Sequence, residues 1–159
     1  MGDLTHVNAA GAARMVDVTG KAVTDRVAVA TGVVRTTAEV VSLLENNGLK
    51  KGDALAVARV AGIMGAKRTP DLVPLCHPLP ITGVTVEFAL AADSVGITAT
   101  VHTSGQTGVE MEALTAVTVA GLTLHDMIKA VDPAAVLSEV RLDRKEGGKS
   151  GVWTRPEGR

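Results

Sequence analysis

The segment TGVEMEALTAVTVAGLTLHDMIKAV, residues 107–131, decides the fold because it is long, contains no proline and repeats with helical periodicity. At about 100° per residue its apolar side chains share one face. They are Ala113, Val117, Ala120, Leu124, Met127 and Val131. The opposite face is mixed in character and holds Met111, Thr115, Thr118, Leu122, Asp126 and Lys129. We therefore predict a long helix with one face in the core and the other towards a cleft or a second subunit.

Both ends of this predicted helix carry polar residues. Thr107 and Glu110 have the spacing of a capping box, in which a hydroxyl and a carboxylate bind free backbone N–H groups. Asp126 and Lys129 are three positions apart, so a simple surface ion pair is one interpretation of them. Glu112 and Asp126 are separated by 14 positions, roughly 21 Å along a helix. If both ends are functional, a second copy of the chain has to complete the site.

Length and composition exclude several classes of protein. The 159 residues fit one domain, which we assign to residues 1–159 with flexible segments at 1–13 and 147–159. Phe88 and Trp153 are the only aromatic residues and the formal net charge is −1, so a nucleic-acid partner is not expected. A single cysteine, Cys76, excludes an intrachain disulfide. No signal-like or membrane-spanning apolar run is found, and we expect a cytoplasmic protein that does not bind membranes.

Periodicity elsewhere in the chain predicts the order of the remaining elements. We expect strands at residues 15–18, 27–34, 84–90, 95–101 and 136–144. Two helices are expected before the central hairpin, one capped by Thr36 with Glu39 and one running from Asp53 to Arg68. Residues 70–80 hold four prolines and predict a rigid loop. The fold class is therefore α+β, a ferredoxin-like βαββαβ antiparallel sheet with helices on one face, plus an extra N-terminal strand.

The proline-rich loop contains the most reactive side chains. Leu75, Cys76 and His77 lie between Pro74 and Pro78, which restrict the backbone as a ligand-holding loop requires. A Cys76 thiolate nucleophile is the weaker interpretation, since no third residue that would orient His77 is evident. A zinc site from these two residues with His102 and His125 lacks any recognised ligand spacing, so we expect no metal site. A structural role for His77 stays open on this segment alone.

Several motifs in order resemble one family along almost the whole chain. They are LTHVNAAGAARMVDV at 4–18, KGD at 51–53, GAKRTPDL at 65–72, PLCHPL at 74–79, TGVEMEALTAV at 107–117 and GGKSG at 147–151. The sequence resembles the cyclic pyranopterin monophosphate synthases, the molybdenum cofactor biosynthesis protein C family. That resemblance implies a lyase that converts 3′,8-cyclo-7,8-dihydro-GTP to cyclic pyranopterin monophosphate and pyrophosphate. It also implies a ferredoxin-like homohexamer, a trimer of dimers with the active site at a dimer interface.

The resemblance assigns roles to individual residues. The catalytic set it implies is Asp126, Lys129, Lys51 and His77. The substrate-binding set is Leu75, Cys76, His77, Met111, Glu112, Glu110, Arg26, Lys67, Lys145 and Lys149. Two of these residues also have purely structural interpretations. Glu110 can cap the start of a helix, and Lys67 can be a basic residue that stabilises a helix end. No resident cofactor is implied, although Mg²⁺ can accompany the triphosphate.

These residue types suit such a reaction. Expulsion of pyrophosphate needs cations where negative charge develops, and the lysines and Arg26 are candidates. Ring rearrangement needs proton transfer, which we assign to Lys129 and Lys51 with Asp126 orienting Lys129. Two other classes remain open: an oligomeric module that binds a nucleotide or anion without chemistry, and a metal-free phosphohydrolase acting on nucleotides.

Overall fold

A five-stranded antiparallel sheet carries the helices on one face in a computed structural model, which describes residues 10–158. The elements are β1 (Thr24–Arg35), α1 (Ala38–Glu45), α2 (Ala54–Lys67), α3 (Thr69–Leu72), β2 (Ile81–Leu90), β3 (Ser94–Gly105), α4 (Glu110–Ile128), β4 (Val136–Glu146) and β5 (Trp153–Thr154). The strand order is β2-β3-β1-β4-β5. Its first four strands have the ferredoxin-like order, so the predicted α+β class is confirmed.

The central strand β1 shows how side chains divide between the two faces of the sheet. Ala28, Ala30 and Val34 are fully buried beneath the helices. The predicted alternating set, Val27, Val29, Thr31 and Val33, points to the opposite face and is only partly buried. Both faces of this strand are largely apolar, and only the packing of the helices shows which one is the core.

The helix α4 lies across β1, β3 and β4 and forms the centre of the core. The predicted apolar face is confirmed for Ala113, Val117, Ala120, Leu124 and Met127, which are at most 8% exposed. Val131 is the exception, because the helix ends at Ile128 and Val131 lies beyond it, 39% exposed. Small residues allow α2 to pack closely against α4: a Cβ on Gly62 would stand 2.9 Å from the carbonyl oxygen of Ala116.

Three predicted local features are wrong. Thr37 and not Thr36 caps α1, because the Thr37 hydroxyl accepts from the Val40 N–H while Thr36 donates to Asp132 Oδ2 at 2.8 Å. Residues 15–18 are not a strand, and the fifth strand is β5 near the other end of the chain. The loop predicted over residues 70–80 begins only at residue 73, because residues 70–72 belong to α3. Pro70 lies in the first turn of α3, where the missing N–H would have no helical partner.

Other predictions about the ends of elements have mixed outcomes. Asp53 caps α2, its carboxylate accepting from the Ala56 N–H at 2.9 Å, as predicted. The segment from Gly147, expected to be flexible, contains β5, which pairs with β4. The other segment expected to be flexible is residues 1–13, and residues 1–9 of it lie outside the described residues. Within residues 10–158, no helix combines the length and apolar content needed to cross a bilayer.

Candidate active site

Two adjoining cavities lie at the N-terminal end of α4. We call the first the basic cavity; it measures about 710 Å³ and lies between the start of β1, residues 106–108 and residues 145–150. The second, the loop cavity, measures about 620 Å³ and lies against residues 75–79 and the first turn of α4. Both are lined by Lys21, Thr107, Gly108, Glu110 and Lys145. The shared wall makes them two parts of one cleft.

The basic cavity collects cations and glycines. Arg26 is fixed at its base, since its Nε donates to Gly105 O at 3.0 Å and Nη2 donates to Gln106 O at 3.2 Å. Lys145 and Lys149 line the same space, as predicted for substrate binding. With Lys21 the lining has four cationic side chains against two carboxylates, Glu110 and Glu146. Such a surface suits a ligand that carries several negative charges.

The loop cavity is more apolar and contains one buried acid. Seven predicted substrate-binding residues line it and so meet in one place: Leu75, Cys76, His77, Glu110, Met111, Glu112 and Lys145. Proline-braced residues 73–80 and the first turn of α4 hold the two walls in position. A flat ring of several atoms would fit between such walls without aromatic stacking.

Glu112 is the buried acid, with only 3% of its surface exposed. Burial raises the pKa of this carboxyl. A hydrogen bond from the Glu112 backbone lowers the pKa in part, and the nearby charge of Glu110 raises it again. A buried carboxylate without a cationic neighbour is unfavourable unless a ligand supplies hydrogen-bond donors. The cavity lining around Glu112 is therefore suited to a ligand rich in N–H groups.

Cys76 is not poised as a nucleophile. Burial raises the pKa of its thiol, and the neighbouring Glu112 charge raises it further, so the thiol form is favoured. Across residues 10–158, no group of three or more His, Cys, Asp or Glu side chains has the geometry to hold a metal ion. Cys76 and His77 both line the loop cavity.

Glu110 and Lys145 join the two cavities. Lys145 Nζ donates to Glu110 Oε1 at 3.1 Å across the shared wall. The predicted capping box is wrong, because Val109 occupies the N-cap position and makes no side-chain cap. The Glu110 carboxylate is bound to Lys145 and not to the start of its own helix. A phosphate in the basic cavity would compete with Glu110 for the ammonium group of Lys145.

Lys21 is a lining residue that the sequence reasoning missed. It lines both cavities, and its carbonyl oxygen accepts from Gln106 Nε2 at 3.0 Å, which fixes the chain there. The signal was present, because Lys21 lies three positions after Val18, the last residue of the opening motif. Asp17 itself has a lowered pKa, chiefly from the Thr19 hydroxyl and N–H, with a contribution from the His77 side chain.

A second cluster lies at the C-terminal end of α4. Asp126 binds two lysines: Lys129 Nζ is 2.7 Å from Oδ1, and Lys51 Nζ is 3.0 Å from Oδ2. Lys51 Nζ also donates to the Asp126 carbonyl oxygen at 2.6 Å, one of the carbonyls that a helix end leaves free. These contacts, Lys129 first, lower the pKa of Asp126 to about 2. We call Lys51, Asp126 and Lys129 the lysine–aspartate cluster.

The two parts of the predicted site are far apart in one chain. Because α4 is continuous between Glu112 and Asp126, roughly 21 Å separates the loop cavity from the lysine–aspartate cluster. None of the residues that line the two cavities belongs to that cluster. Lys67 lies apart from both, in a shallow groove beside β2 with Ile63 and Leu79. Leu79 also lines the loop cavity, so the groove adjoins it.

The fold and the cleft together define an α+β protein whose site suits a polyanionic ring compound. The sequence model of the MoaC family matches residues 15–148, and the chain belongs to that family. A relative from Streptomyces coelicolor is 64% identical over 152 residues, covering 96% of this chain and 89% of the relative. One from Mycobacterium tuberculosis is 61% identical over 154 residues, covering 97% and 92%. They are named "Cyclic pyranopterin monophosphate synthase" and "Cyclic pyranopterin monophosphate synthase 2".

A third relative is similar to the same extent. The protein of Dinoroseobacter shibae is 63% identical over 153 residues, which covers 95% of this chain and 97% of the relative. It too is named "Cyclic pyranopterin monophosphate synthase". All three names are those of an enzyme.

Proposed function

We propose that this chain is a cyclic pyranopterin monophosphate synthase acting in molybdenum cofactor biosynthesis. Its substrate would be (8S)-3′,8-cyclo-7,8-dihydroguanosine 5′-triphosphate, and its products cyclic pyranopterin monophosphate and pyrophosphate. The observation that carries the proposal is the divided cleft, in which a cationic, glycine-rich cavity adjoins an apolar cavity with one buried carboxyl. The first half suits a triphosphate and the second a guanine-derived ring.

The ring end of the substrate is assigned to the loop cavity. A guanine-derived ring presents an N–H and an amino group on one edge, and Glu112 can accept both hydrogen bonds. That pairing would relieve the unfavourable burial of the Glu112 carboxylate. Leu75 and Met111 would contact the ring faces, and His77 with Cys76 would close the side of the pocket.

The triphosphate end is assigned to the basic cavity. Formation of a cyclic monophosphate with loss of pyrophosphate requires a substrate hydroxyl to attack the α-phosphorus while the bridging oxygen to the β-phosphorus leaves. Negative charge develops on that leaving oxygen, where Arg26, Lys145 and Lys149 would stabilise it. The proposal includes no resident cofactor. A Mg²⁺ ion, where the reaction uses one, would arrive as part of the triphosphate substrate.

Proton transfer is assigned to the lysine–aspartate cluster. Asp126 holds the Lys51 and Lys129 ammonium groups in fixed positions, each at hydrogen-bond distance from a different carboxylate oxygen. Lys129, the C-cap residue of α4, would exchange protons with the substrate ring. Lys51, on the other carboxylate oxygen of Asp126, would also exchange protons with that ring. Replacing Lys129 with alanine should leave the chain folded and abolish product. Normal turnover of that variant would exclude Lys129 from the chemistry.

The separation of the two clusters supports a shared site between copies. A small ligand cannot span roughly 21 Å, so we propose that the loop cavity of one chain meets the lysine–aspartate cluster of another. A homohexamer built as a trimer of dimers would provide such contacts. The outer face of the helices is suited to burial there, since Val57, Val60, Met64 and Leu122 are 45–65% exposed. Lys67, on the same helix as three of them, would join the site from that side.

Mixed oligomers test the shared site. Glu112→Gln and Asp126→Asn would each impair a different half, so a 1:1 mixture reassembled from dissociated chains should show about a quarter of the wild-type activity when the substrate is kept well below the wild-type KM. Each variant reassembled alone is the matched control and should keep about a tenth of that activity or less. Absence of recovered activity in mixtures of verified composition would count against a site formed by two chains.

Two other functions make different predictions. A nucleotide-binding or anion-binding module would bind the cyclised dihydro-GTP and return it unchanged. A metal-free phosphohydrolase would release phosphate or pyrophosphate and leave the 3′,8-cyclised nucleoside diphosphate or monophosphate, with no cyclic phosphate. The deciding experiment incubates the purified protein with the cyclised dihydro-GTP, measures pyrophosphate enzymatically and identifies the organic product by mass spectrometry. A cyclic monophosphate formed in equal amount with pyrophosphate supports the proposal, and either alternative outcome rejects it.

A further inference from the structure

The turn between β4 and β5 forms one wall of the basic cavity, and its glycines lie directly on Arg26. Gly147 and Gly148 have positive φ angles of 95° and 67°. A Cβ on Gly147 would overlap the carbonyl oxygen of Asp25, and one on Gly148 would overlap the Arg26 guanidinium. Only glycine fits at these positions, so any shift of the turn also shifts the surface that carries Lys149.

The turn ends at β5, which is too short to stay paired with β4 by its own hydrogen bonds. Its two residues, Trp153 and Thr154, pair with Lys145 and Arg144. Two paired residues alone give little independent stability. A second attachment is therefore needed to keep residues 147–151 against Arg26.

Arg155 provides that attachment. Its backbone N–H donates to Asp143 O at 2.8 Å, and its Nε donates to Leu142 O at 2.7 Å. The same Nε lies 3.6 Å from Asp143 Oδ1, and the guanidinium lies 6.0 Å from the centre of the Trp153 ring. Arg155 is thus fixed to β4 through both its backbone and its side chain. It does not line either cavity of the cleft.

We infer that Arg155, through β5 and Trp153, is a positioning residue for the phosphate-binding turn at residues 147–151. The inference rests on the proposed function, because it takes the basic cavity as the triphosphate site. Arg155 fixes the register in which Trp153 lies opposite Lys145, the lysine that binds Glu110 in the wall between the cavities. Loss of the Arg155 side chain frees β5, and the turn then samples positions in which Lys149 no longer lines the basic cavity with Arg26 and Lys145.

The test compares Arg155→Ala with Arg141→Ala in the full chain. Arg141 Nε also binds Asp143 Oδ1, at 3.1 Å, but lies within β4 and makes no pair with β5, so it is a matched control. Arg155→Ala should raise KM for the cyclised dihydro-GTP, and the Kd for inorganic pyrophosphate measured by calorimetry, about tenfold. It should change kcat less than about threefold. Arg141→Ala should leave both constants near wild type, and Arg155→Lys should restore part of the loss.

Trp153 supplies a second readout, which is the change in its emission when pyrophosphate binds. It is the only tryptophan, and the chain has no tyrosine, so fluorescence reports the environment of β5 alone. Free Arg155→Ala should emit at longer wavelength than wild type, and saturating pyrophosphate should partly reverse the shift. Should Arg155→Ala fail to fold, Arg155→Gln carries the same expectations. A folded Arg155 variant with an unchanged pyrophosphate Kd overturns the inference whatever its emission, whereas a wild-type protein that binds pyrophosphate but forms no product overturns the proposed function alone.

Discussion

Replacing Glu112 with glutamine should stabilise the fold while it weakens substrate binding. Glu112 is 3% exposed, and its pKa is raised above the ordinary value of 4.5 chiefly by burial. Below pH 4.5 the carboxyl is protonated in the folded and unfolded chain alike. As the pH rises, the unfolded chain ionises first, so the free energy of unfolding falls until the folded carboxyl has ionised too. Glutamine has nearly the same shape and removes this loss.

The size of the effect follows from the burial of the charge without a cationic partner. Removing an unfavourably buried charged group should raise the free energy of unfolding at pH 8 by about 1–2 kcal/mol. For a chain of this length that is roughly 2–8 °C in Tm. Substrate affinity should fall about tenfold or more, because a charge-assisted pair of hydrogen bonds becomes a neutral and mismatched one.

The assay is thermal unfolding of both proteins at pH 4 and pH 8, at one protein concentration because oligomers unfold in a concentration-dependent way. Glu110→Gln is the matched control, since Glu110 lies in the same turn of α4 but is bound to Lys145. It should give no gain in Tm at pH 8. A Glu112→Gln variant that is less stable than wild type at pH 8, or whose gain is the same at both pH values, would refute the reasoning.

Three further predictions use other parts of the molecule. Asp126, with a pKa of about 2, keeps its ion pairs above its ordinary pKa of 3.8 and loses them only as the pH falls through about 2. Asp126→Asn should therefore lower kcat about 100-fold, and by the same factor at pH 5 and at pH 8. A ratio of wild-type to variant kcat that changes with pH would contradict this. Gly147→Ala should raise the steady-state KM about tenfold. Gly96→Ala is the control, since its Cβ would meet Ala89 O at an ordinary 3.6 Å outside the cleft, and it should leave KM near wild type. Gly62→Ala should lower the free energy of unfolding by roughly 1–2 kcal/mol, because the added Cβ pushes α2 and α4 apart. Gly20→Ala is the control and should not change Tm, since no atom lies within 4 Å of its Cβ. Equal Tm values for the two variants would show that the helices separate without cost.

The order of the main elements was predictable because strong periodicity specifies each of them. α4 shows this best, since its buried side chains recur at helical spacing over nearly the whole helix. Eight of the twelve residues of strand β1 were predicted as a strand, but its buried face was not predicted. Ala28, Ala30 and Gly32 are small, and a Cβ on Gly32 would lie 2.7 Å from Val117 in α4. Their burial depends on the close approach of that helix, which no local pattern records.

Short-range motifs failed where a distant residue competes for the same side chain. Thr107 and Glu110 have the spacing of a capping box, yet Glu110 is bound by Lys145, which is 35 positions away. Thr36 and Thr37 are equally good caps by type, and the choice between them depends on Asp132. The two-residue strand β5 is too short to show periodicity, and the residue after it, Arg155, is bound to Leu142 in β4.

The predicted site residues fall into two groups because one rigid element carries both. Residues of the first turn of α4 face the loop cavity, and Asp126 in its last turn holds Lys51 and Lys129. A helix of this length cannot bend enough to bring its ends together, and its buried face is fixed between α2 and the sheet. Any ligand that uses both groups must therefore lie where α4 of one copy ends near the start of α4 in another. For that reason we place the chemistry between chains, and expect variants at opposite ends of α4 to complement each other.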